Sequence, residues 1–178
     1  RDFRTERTTV IVDPVMGDYG KPYATYTSEL CQEMKQLVEY ADILTPNLTE
    51  ACILTDTPYK VGHWAIKEIL AMAEKLQERG PAKVVVTGIR QGDFVANLVC
   101  EKGKELRVLR SHKVGTERSG TGDVFAAIIA ADAVNGVPFD VSVKKASNFV
   151  KQCILRSEEL EIPRTDGVCF EELLTTLR

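Results

Sequence analysis

The chain alternates between short β-branched runs and longer segments whose apolar residues recur every three or four positions. Runs at residues 8–12, 41–45 and 83–87 predict strands, and the segments that follow the first two predict helices. Strands that are joined through helices pair in parallel, so the pattern indicates an α/β fold with a largely parallel sheet flanked by helices. The length of 178 residues suits one domain, and we expect a single domain over residues 1–178.

The remaining segments continue this α/β order. The helix that begins after Thr27 carries Leu30, Met34 and Leu37 on one apolar face, and Asn47 precedes a second, shorter helix. Further predicted elements are a helix ending at Gly80, a hairpin of strands at 94–100 and 106–113, and helices at 122–135, 140–156 and 170–177. The sequence contains no internal repeat, low-complexity tract or interdomain linker, which again favours one domain.

Composition excludes several classes of protein. The chain has 23 Lys and Arg against 26 Asp and Glu, a formal net charge of −3, whereas proteins that bind nucleic-acid backbones usually present a basic face. The longest apolar run, at residues 124–131, is too short to cross a bilayer. Five scattered Cys and only two His argue against a disulfide framework or a zinc site. We expect a cytoplasmic protein that binds neither nucleic acid nor membranes.

The sharpest motif is Gly120-Thr121-Gly122-Asp123, directly before the most apolar helix. Two Gly separated by one residue let the backbone approach a ligand closely, and the amides and dipole of the following helix favour phosphate. The motif lacks the Lys of a Walker loop and the third Gly of a dinucleotide fingerprint. Asp123 beside an anion site suits a base that takes a proton from an attacking hydroxyl. The alternative is structural: Ser119 or Thr121 caps the helix, and Asp123 complements its dipole.

Polar residues also follow the first two predicted strands, at the strand ends where ligands of parallel α/β sheets bind. Asp13 leaves the first strand, and Asp18 lies in a Gly-flanked loop that is able to fold over a ligand. Two carboxylates near a phosphate suit Mg²⁺, although Asp is also an ordinary turn residue. After the second strand, Asn47 and Glu50 form a capping-box pattern that helix physics explains by itself.

The third such position is Thr87-Gly88, which follows the central strand and offers a hydroxyl and an exposed amide to a nucleotide phosphate. Each of these motifs is weak alone. Because the carboxyl ends of parallel strands meet at one edge of a sheet, we expect all three to converge there with residues 120–123. This convergence indicates a site for phosphate chemistry.

Taken in order, these motifs resemble the vitamin B6 kinases, which are the pyridoxal and pyridoxamine kinases of the ribokinase-like superfamily. The resembling segments are DPVMGD at residues 13–18, TPN-x-x-E at 45–50, VVVTG at 84–88 and GTGD at 120–123. GTGD is common to the superfamily, and DPVMGD narrows the resemblance to the vitamin-kinase branch. The resemblance implies a ribokinase-like three-layer fold, ATP and Mg²⁺ with room for a monovalent cation, a B6 vitamer as substrate, and a homodimer.

The resemblance also implies a role for each matching residue. Asp123 matches the catalytic base that deprotonates the 5′-hydroxymethyl group of the vitamer, and residues 120–122 match the anion hole around the γ-phosphate. Asn47 and Glu50 match the element that organises Mg²⁺ and the phosphates, in part through water, and residues 114–119 match part of the adenine-side wall. The other matches are Asp13, Asp18, Thr87, Gly88 and Ser119 on the nucleotide side and Tyr23 in the loop that closes over the substrate.

Two alternatives to a B6 kinase remain open. The hydroxymethylpyrimidine kinases of thiamine synthesis are similar, but they usually carry Cys where this chain has Asp123, which favours the B6 branch. Members of the family also carry an N-terminal portion with further strands and much of the pyridine pocket, so we expect residues 1–178 to be the C-terminal, nucleotide-side part of a longer chain. The second alternative is therefore an inactive nucleotide-binding fragment, whose first strand, at residues 8–12, leaves an aggregation-prone edge.

Overall fold

A mixed β-sheet flanked by helices is the framework of residues 4–177, the part of the chain that the computed structural model describes. The chain divides into two compact units, Arg1–Arg110 and Ser111–Arg178. The strands within the described residues are β1 (Ile11–Val12), β2 (Gly17–Asp18), β3 (Lys21–Pro22), β4 (Ile43–Leu44), β5 (Lys83–Gln91), β6 (Phe94–Glu101) and β7 (Arg107–His112). The predicted α/β class is confirmed.

The main sheet has the strand order β1-β4-β5-β6-β7. β4 pairs in parallel with both β1 and β5, as predicted, and β6 adds an antiparallel pairing with β5, which makes the sheet mixed. β1 lies at the edge of the described sheet, where its two residues, Ile11 and Val12, are half-buried. Within residues 4–177 its one partner is β4, which comes later in the sequence, so later strands pair with one side of β1 as predicted.

Strand β5 is longer than its β-branched run. The prediction that Thr87 and Gly88 follow the central strand is wrong, because the strand continues to Gln91. An irregularity between Val86 and Ile89 interrupts the pairing with β6, and Gly88 adopts a φ of 68° there. This β-bulge needs a residue without a Cβ in left-handed conformation, and it lets the strand resume its ladder beyond the glycine.

Three helices belong to the first unit: α1 (Ser28–Val38), α2 (Leu48–Leu54) and α3 (Ile66–Arg79). The face of α1 predicted to be apolar is only partly buried: Val38 on that face is fully buried, whereas Leu30 and Leu37 are 47% and 51% exposed. The other buried residues of α1 are displaced by one position and include Lys35, whose Nζ donates to Asp56 Oδ1 at 2.6 Å. A Lys side chain can bury its aliphatic part in this way while its charged amino group reaches a partner at the surface.

The core of the first unit lies between the sheet and the helices α2 and α3. Its fully buried side chains include Leu44, Leu54, Ile69, Leu76, Val84, Val86 and Leu98. The helix that was predicted to end at Gly80 is α3, which contributes its buried face to this core. This packing fixes the end of β4 and the middle of β5, where the polar motifs lie.

The second unit contains helices α4 (Thr121–Val134) and α5 (Phe139–Glu159), which pack against each other. The α-helix predicted for residues 170–177 is instead a 3₁₀-helix at Glu171–Thr176. So short a run forms few i→i−4 hydrogen bonds to offset the cost of helix nucleation, whereas the tighter 3₁₀ turn is common in short pieces. Within residues 4–177, none of the helices combines the length and the apolar character that crossing a bilayer demands.

Candidate active site

The ends of β1 and β4 meet the middle of β5, at Thr87, in the first unit, so the three motifs lie together as predicted although β5 does not end there. Thr45 Oγ1 donates to Asp13 Oδ1 at 2.7 Å and so joins the end of β4 to the end of β1. Thr87 N donates to the carbonyl of Pro46 at 2.9 Å, and Asn47 and Thr87 form a parallel bridge. Three of the four predicted motifs therefore share one edge of the sheet.

Asn47 and Glu50 form the predicted capping box of α2 and also bind the loop after β1. Asn47 Oδ1 accepts from Glu50 N at 2.9 Å, and Glu50 Oε2 accepts from Asn47 N at 2.7 Å. Beyond the cap, Asn47 Nδ2 donates to the Gly17 carbonyl at 2.8 Å, and Glu50 Oε1 accepts from Met16 N at 3.1 Å. The two residues therefore start a helix and position the 16–18 segment with the same side chains.

The predicted Gly-flanked loop is a β-hairpin, formed by β2 and β3. Its turn residues, Tyr19 and Gly20, have φ values of 53° and 76°, the left-handed pair that two-residue hairpin turns use. Gly20 N donates to Thr49 Oγ1 at 2.9 Å, which ties the turn to α2. Gly17 has no room for a side chain, because a Cβ there would overlap the Lys21 backbone carbonyl.

Glu50 is a buried carboxyl group with an altered acidity. Its side chain belongs to a residue that is only 4% exposed, and burial raises its pKa to about 8. This value is the net result of burial and the negative charge of Asp13, which raise the pKa, and of the N–H groups of Asn47, Met16 and Gly17, which lower it. A cation beside Asp13 and Glu50 would favour the ionised form of Glu50.

Arg90 was missed by the sequence analysis, which ended the central strand at residue 87. The bulge in β5 carries Arg90 to the β2–β3 hairpin, where its Cζ lies 4.3 Å from the centroid of the Tyr19 ring. Its Nη2 also donates to the Tyr19 hydroxyl. Partial burial raises the pKa of Asp18, and the positive charge of Arg90 opposes that rise. The signal available in the sequence was the Gly88 that marks the bulge.

The oxygen donors at this edge fit Mg²⁺ better as an outer shell than as direct ligands. Both carboxylate oxygens of Glu50 and both side-chain polar atoms of Asn47 already hydrogen bond to protein. Among residues 4–177, no group of three or more His, Cys, Asp or Glu side chains is arranged to hold a metal ion by itself. Mg²⁺ usually keeps several waters and takes phosphate oxygens, so Asp13, Asp18 and Glu50 suit contacts to that hydration shell.

Thr87 and Gly88 offer less to a phosphate than the sequence suggested. The Gly88 amide, expected to be available, donates to Asn97 Oδ1 at 3.2 Å. Thr87 Oγ1 lies 3.4 Å from the Pro46 carbonyl oxygen, at the long end of a hydrogen bond. Of this pair, the Thr87 hydroxyl is the better candidate for a phosphate contact.

The 120–123 motif opens α4 in the second unit. Gly120 is the N-cap with a φ of 81°, and Val124 N donates to its carbonyl at 3.1 Å. The alternative in which Ser119 or Thr121 caps α4 is wrong: within the described residues this cap has no side-chain hydrogen bond, and Thr121 Oγ1 donates backwards to the Arg118 carbonyl. Gly122 and Asp123 are exposed. The first amides of a 14-residue helix and one carboxylate thus face solvent together.

Tyr23 lies directly after β3, is 45% exposed, and donates its backbone N–H to the Met16 carbonyl at 2.8 Å. Nearby, a cleft of about 460 Å³ opens between α1, α2 and the hairpin, lined in part by Lys35, Thr49 and Tyr59. Its lining within the described residues includes none of the predicted site residues. The candidate site is therefore an open strand edge rather than this cleft.

Comparison with known proteins identifies the family. The phosphomethylpyrimidine kinase family matches residues 2–168. The chain belongs to this family. Two curated relatives are each 33% identical: the thiamine biosynthetic bifunctional enzyme TH1 of Arabidopsis thaliana and a pyridoxine/pyridoxal/pyridoxamine kinase of Bordetella avium. The matches cover 86% and 88% of this chain, which spans 29% and 54% of the lengths of those relatives.

Solved structures confirm the ribokinase-like resemblance to B6 kinases. The pyridoxal kinase of Lactobacillus plantarum aligns with a TM-score of 0.85 and 26% identity over 96% of this chain and 61% of that chain. The pyridoxal kinase of Leishmania donovani, in complex with ADP and pyridoxine, aligns with a TM-score of 0.74 and 27% identity over 85% of this chain and 50% of that chain. The relatives of this family member thus divide between pyrimidine and B6 kinases.

Proposed function

We propose that the protein is an ATP-dependent kinase that phosphorylates the 5′-hydroxymethyl group of pyridoxal, pyridoxamine or pyridoxine in B6 salvage. The observation that carries this proposal is the exposed Asp123 in the first turn of α4, behind an N-cap that has no side chain of its own. Family membership and the ADP-bound pyridoxal kinase relative support phosphoryl transfer from ATP. A small-molecule vitamer as substrate and a homodimer are part of the same proposal.

In this mechanism Asp123 accepts the proton of the attacking hydroxymethyl group as its oxygen bonds to the γ-phosphorus of ATP, while the bond from that phosphorus to the β–γ bridging oxygen breaks and ADP leaves. The backbone N–H groups at the start of α4, at Thr121 and Gly122, stabilise the charge on the transferred phosphoryl group. Mg²⁺, when bound, neutralises charge on the phosphates. Asp13 and Asp18 orient the hydration shell of the cation, and Glu50 keeps the segment that carries Asp18 in place.

The experiment that tests the proposal is steady-state kinetics of the full-length protein and of Asp123→Asn. We expect kcat to fall by roughly 10²- to 10⁴-fold, the usual contribution of general-base help, while ADP binding by calorimetry changes little. Asp140→Asn is the matched control, since Asp140 occupies the first turn of α5. An Asp123→Asn variant with near-normal kcat would remove this residue from the mechanism.

Hydroxymethylpyrimidine phosphorylation is the second candidate, and the family description and a 28% identical hydroxymethylpyrimidine/phosphomethylpyrimidine kinase of Haemophilus influenzae favour it. Asp123 in the position where those kinases usually carry Cys favours the B6 vitamers instead. Parallel assays with the three vitamers and with hydroxymethylpyrimidine, compared by kcat/KM, separate the two. ADP binding in the presence of Mg²⁺ without turnover of any of these compounds would support a nucleotide-binding protein that lacks activity.

A further inference from the structure

The β2–β3 hairpin is held by two separate parts of the first unit. On one side, the Gly17 carbonyl accepts from Asn47 Nδ2, and Gly20 N donates to Thr49 Oγ1, so α2 holds the base and one flank of the turn. On the other side, Arg90 of β5 contacts Tyr19 at the tip. The α2 contacts come from residues at the start of that helix, whereas Arg90 reaches the hairpin from a strand of the main sheet.

Arg90 holds Tyr19 through both the ring and the hydroxyl group. Its guanidinium lies over the ring at 4.3 Å from the centroid, within the range of a cation–π interaction, and donates to the hydroxyl oxygen. Tyr19 in turn donates its backbone N–H to Asp18 Oδ1 at 2.8 Å. A displacement of Tyr19 would therefore move the Asp18 carboxylate.

The residue type at position 19 also needs an explanation. Turns of this kind strongly prefer Asn, Asp or Gly because both central residues have positive φ, and Tyr19 adopts a φ of 53° at a disfavoured position. Tyr19 is 53% exposed, so burial does not offset this cost. Within the described residues, the contact with Arg90 uses both the ring and the hydroxyl group of Tyr19.

We propose that Arg90 is a positioning residue for the nucleotide and metal end of the site, which holds the hairpin and Asp18 in the binding conformation through Tyr19. The inference rests on the proposed function, because it assigns Asp18 to the side of the phosphates and Mg²⁺. Arg90 acts on binding and not on the proton transfer, which belongs to Asp123. Loss of Arg90 therefore raises the KM for ATP and leaves kcat at saturation unchanged.

The test uses Arg90→Met in the full-length protein, with Arg110→Met as the control because Arg110 is an exposed Arg on β7 of the same sheet. We expect the affinity for ADP with Mg²⁺ to fall about tenfold in Arg90→Met, the scale of one cation–π contact and one charged hydrogen bond, with kcat within twofold. Amide hydrogen exchange at residues 17–21, measured without nucleotide, should quicken by a similar factor. The control should match the wild type in all three measurements.

A double-mutant cycle with Tyr19→Leu decides whether Arg90 acts through Tyr19. If it does, Arg90→Met/Tyr19→Leu binds ADP no more weakly than either single variant. Fully additive losses, or unchanged affinity and exchange in Arg90→Met, would overturn the proposal. If the wild type itself binds no ADP, the proposed function fails, while the exchange at residues 17–21 still decides whether Arg90 holds the hairpin.

Discussion

The buried carboxyl of Glu50 makes the stability of the protein depend on pH in a specific direction. Its pKa of about 8 in the folded state compares with an ordinary value of 4.5, and each pKa unit corresponds to about 1.4 kcal/mol. The folded state therefore holds a proton between these values that the unfolded state has released. Stability from this group is fully present below pH 4.5 and is lost as pH rises towards 8, by about 5 kcal/mol in total.

The variant Glu50→Gln isolates this effect because Gln resembles the protonated carboxyl group in shape and charge. We expect the difference in the free energy of unfolding, Glu50→Gln minus wild type, to increase by several kcal/mol as pH rises from 5 to 8. The measurement is urea unfolding at fixed ionic strength, with EDTA present. Added Mg²⁺ should narrow the difference at pH 8, since a nearby cation favours the ionised carboxylate, and Glu50→Gln should need more Mg²⁺ for half activity.

Glu68→Gln is the matched control for this experiment. Glu68 occupies the same capping-box position on α3, where its Oε2 accepts from Ala65 N at 2.8 Å, but its side chain is 38% exposed. The hydrogen bond from Lys60 lowers its pKa, so its contribution is lost only on the acid side of the ordinary Glu range. The Glu68→Gln difference should be flat between pH 5 and 8. A Glu50→Gln difference that is equally flat, or that changes in the opposite sense, would refute the reasoning from burial.

The other predictions concern glycines and the sheet edge. Gly122→Val should weaken ADP binding with little change in Tm, because an added Cβ meets nothing within 4 Å outside its neighbours and its own helix backbone among the described residues but would obstruct the proposed anion position; unchanged binding would show that this Gly serves the turn alone. Gly17→Ala should cost about 1–3 kcal/mol in urea unfolding, because the Cβ would meet the Lys21 and Pro22 backbone. Because β1 lies at the edge of the described sheet, the 178-residue chain should associate through that edge; light scattering that shows a monomer would contradict this.

Features determined within a few residues were predictable from the sequence. The capping box of Asn47 and Glu50 depends on a three-residue spacing, and it formed where the pattern placed it. The convergence of Asp13 and Asn47 followed from the rule that parallel strands end at one sheet edge, and Thr87 joins them from within β5 through its bridge to Asn47. Both inferences required only local geometry and the direction of the strands.

Features that depend on distant partners were not predictable. β5 passes through a bulge at Gly88 because β6 resumes pairing with it from Ile89, and this extension is what brings Arg90 to the hairpin. The displaced buried face of α1 depends on Asp56, 21 residues from Lys35 in the sequence. Neither interaction leaves a periodic signal in its own segment, because each is set by a residue elsewhere in the fold.

The double use of Asn47 and Glu50 limits how this protein can change over evolution. A substitution at either position alters both the start of α2 and the hairpin, so selection for the proposed metal-organising role and selection for folding would act on the same atoms. Asp123 differs from Asn47 and Glu50 in that its side chain is exposed in the first turn of α4. Divergence between substrate classes is therefore expected to proceed through the exposed turn of α4, while the α2 cap stays the same.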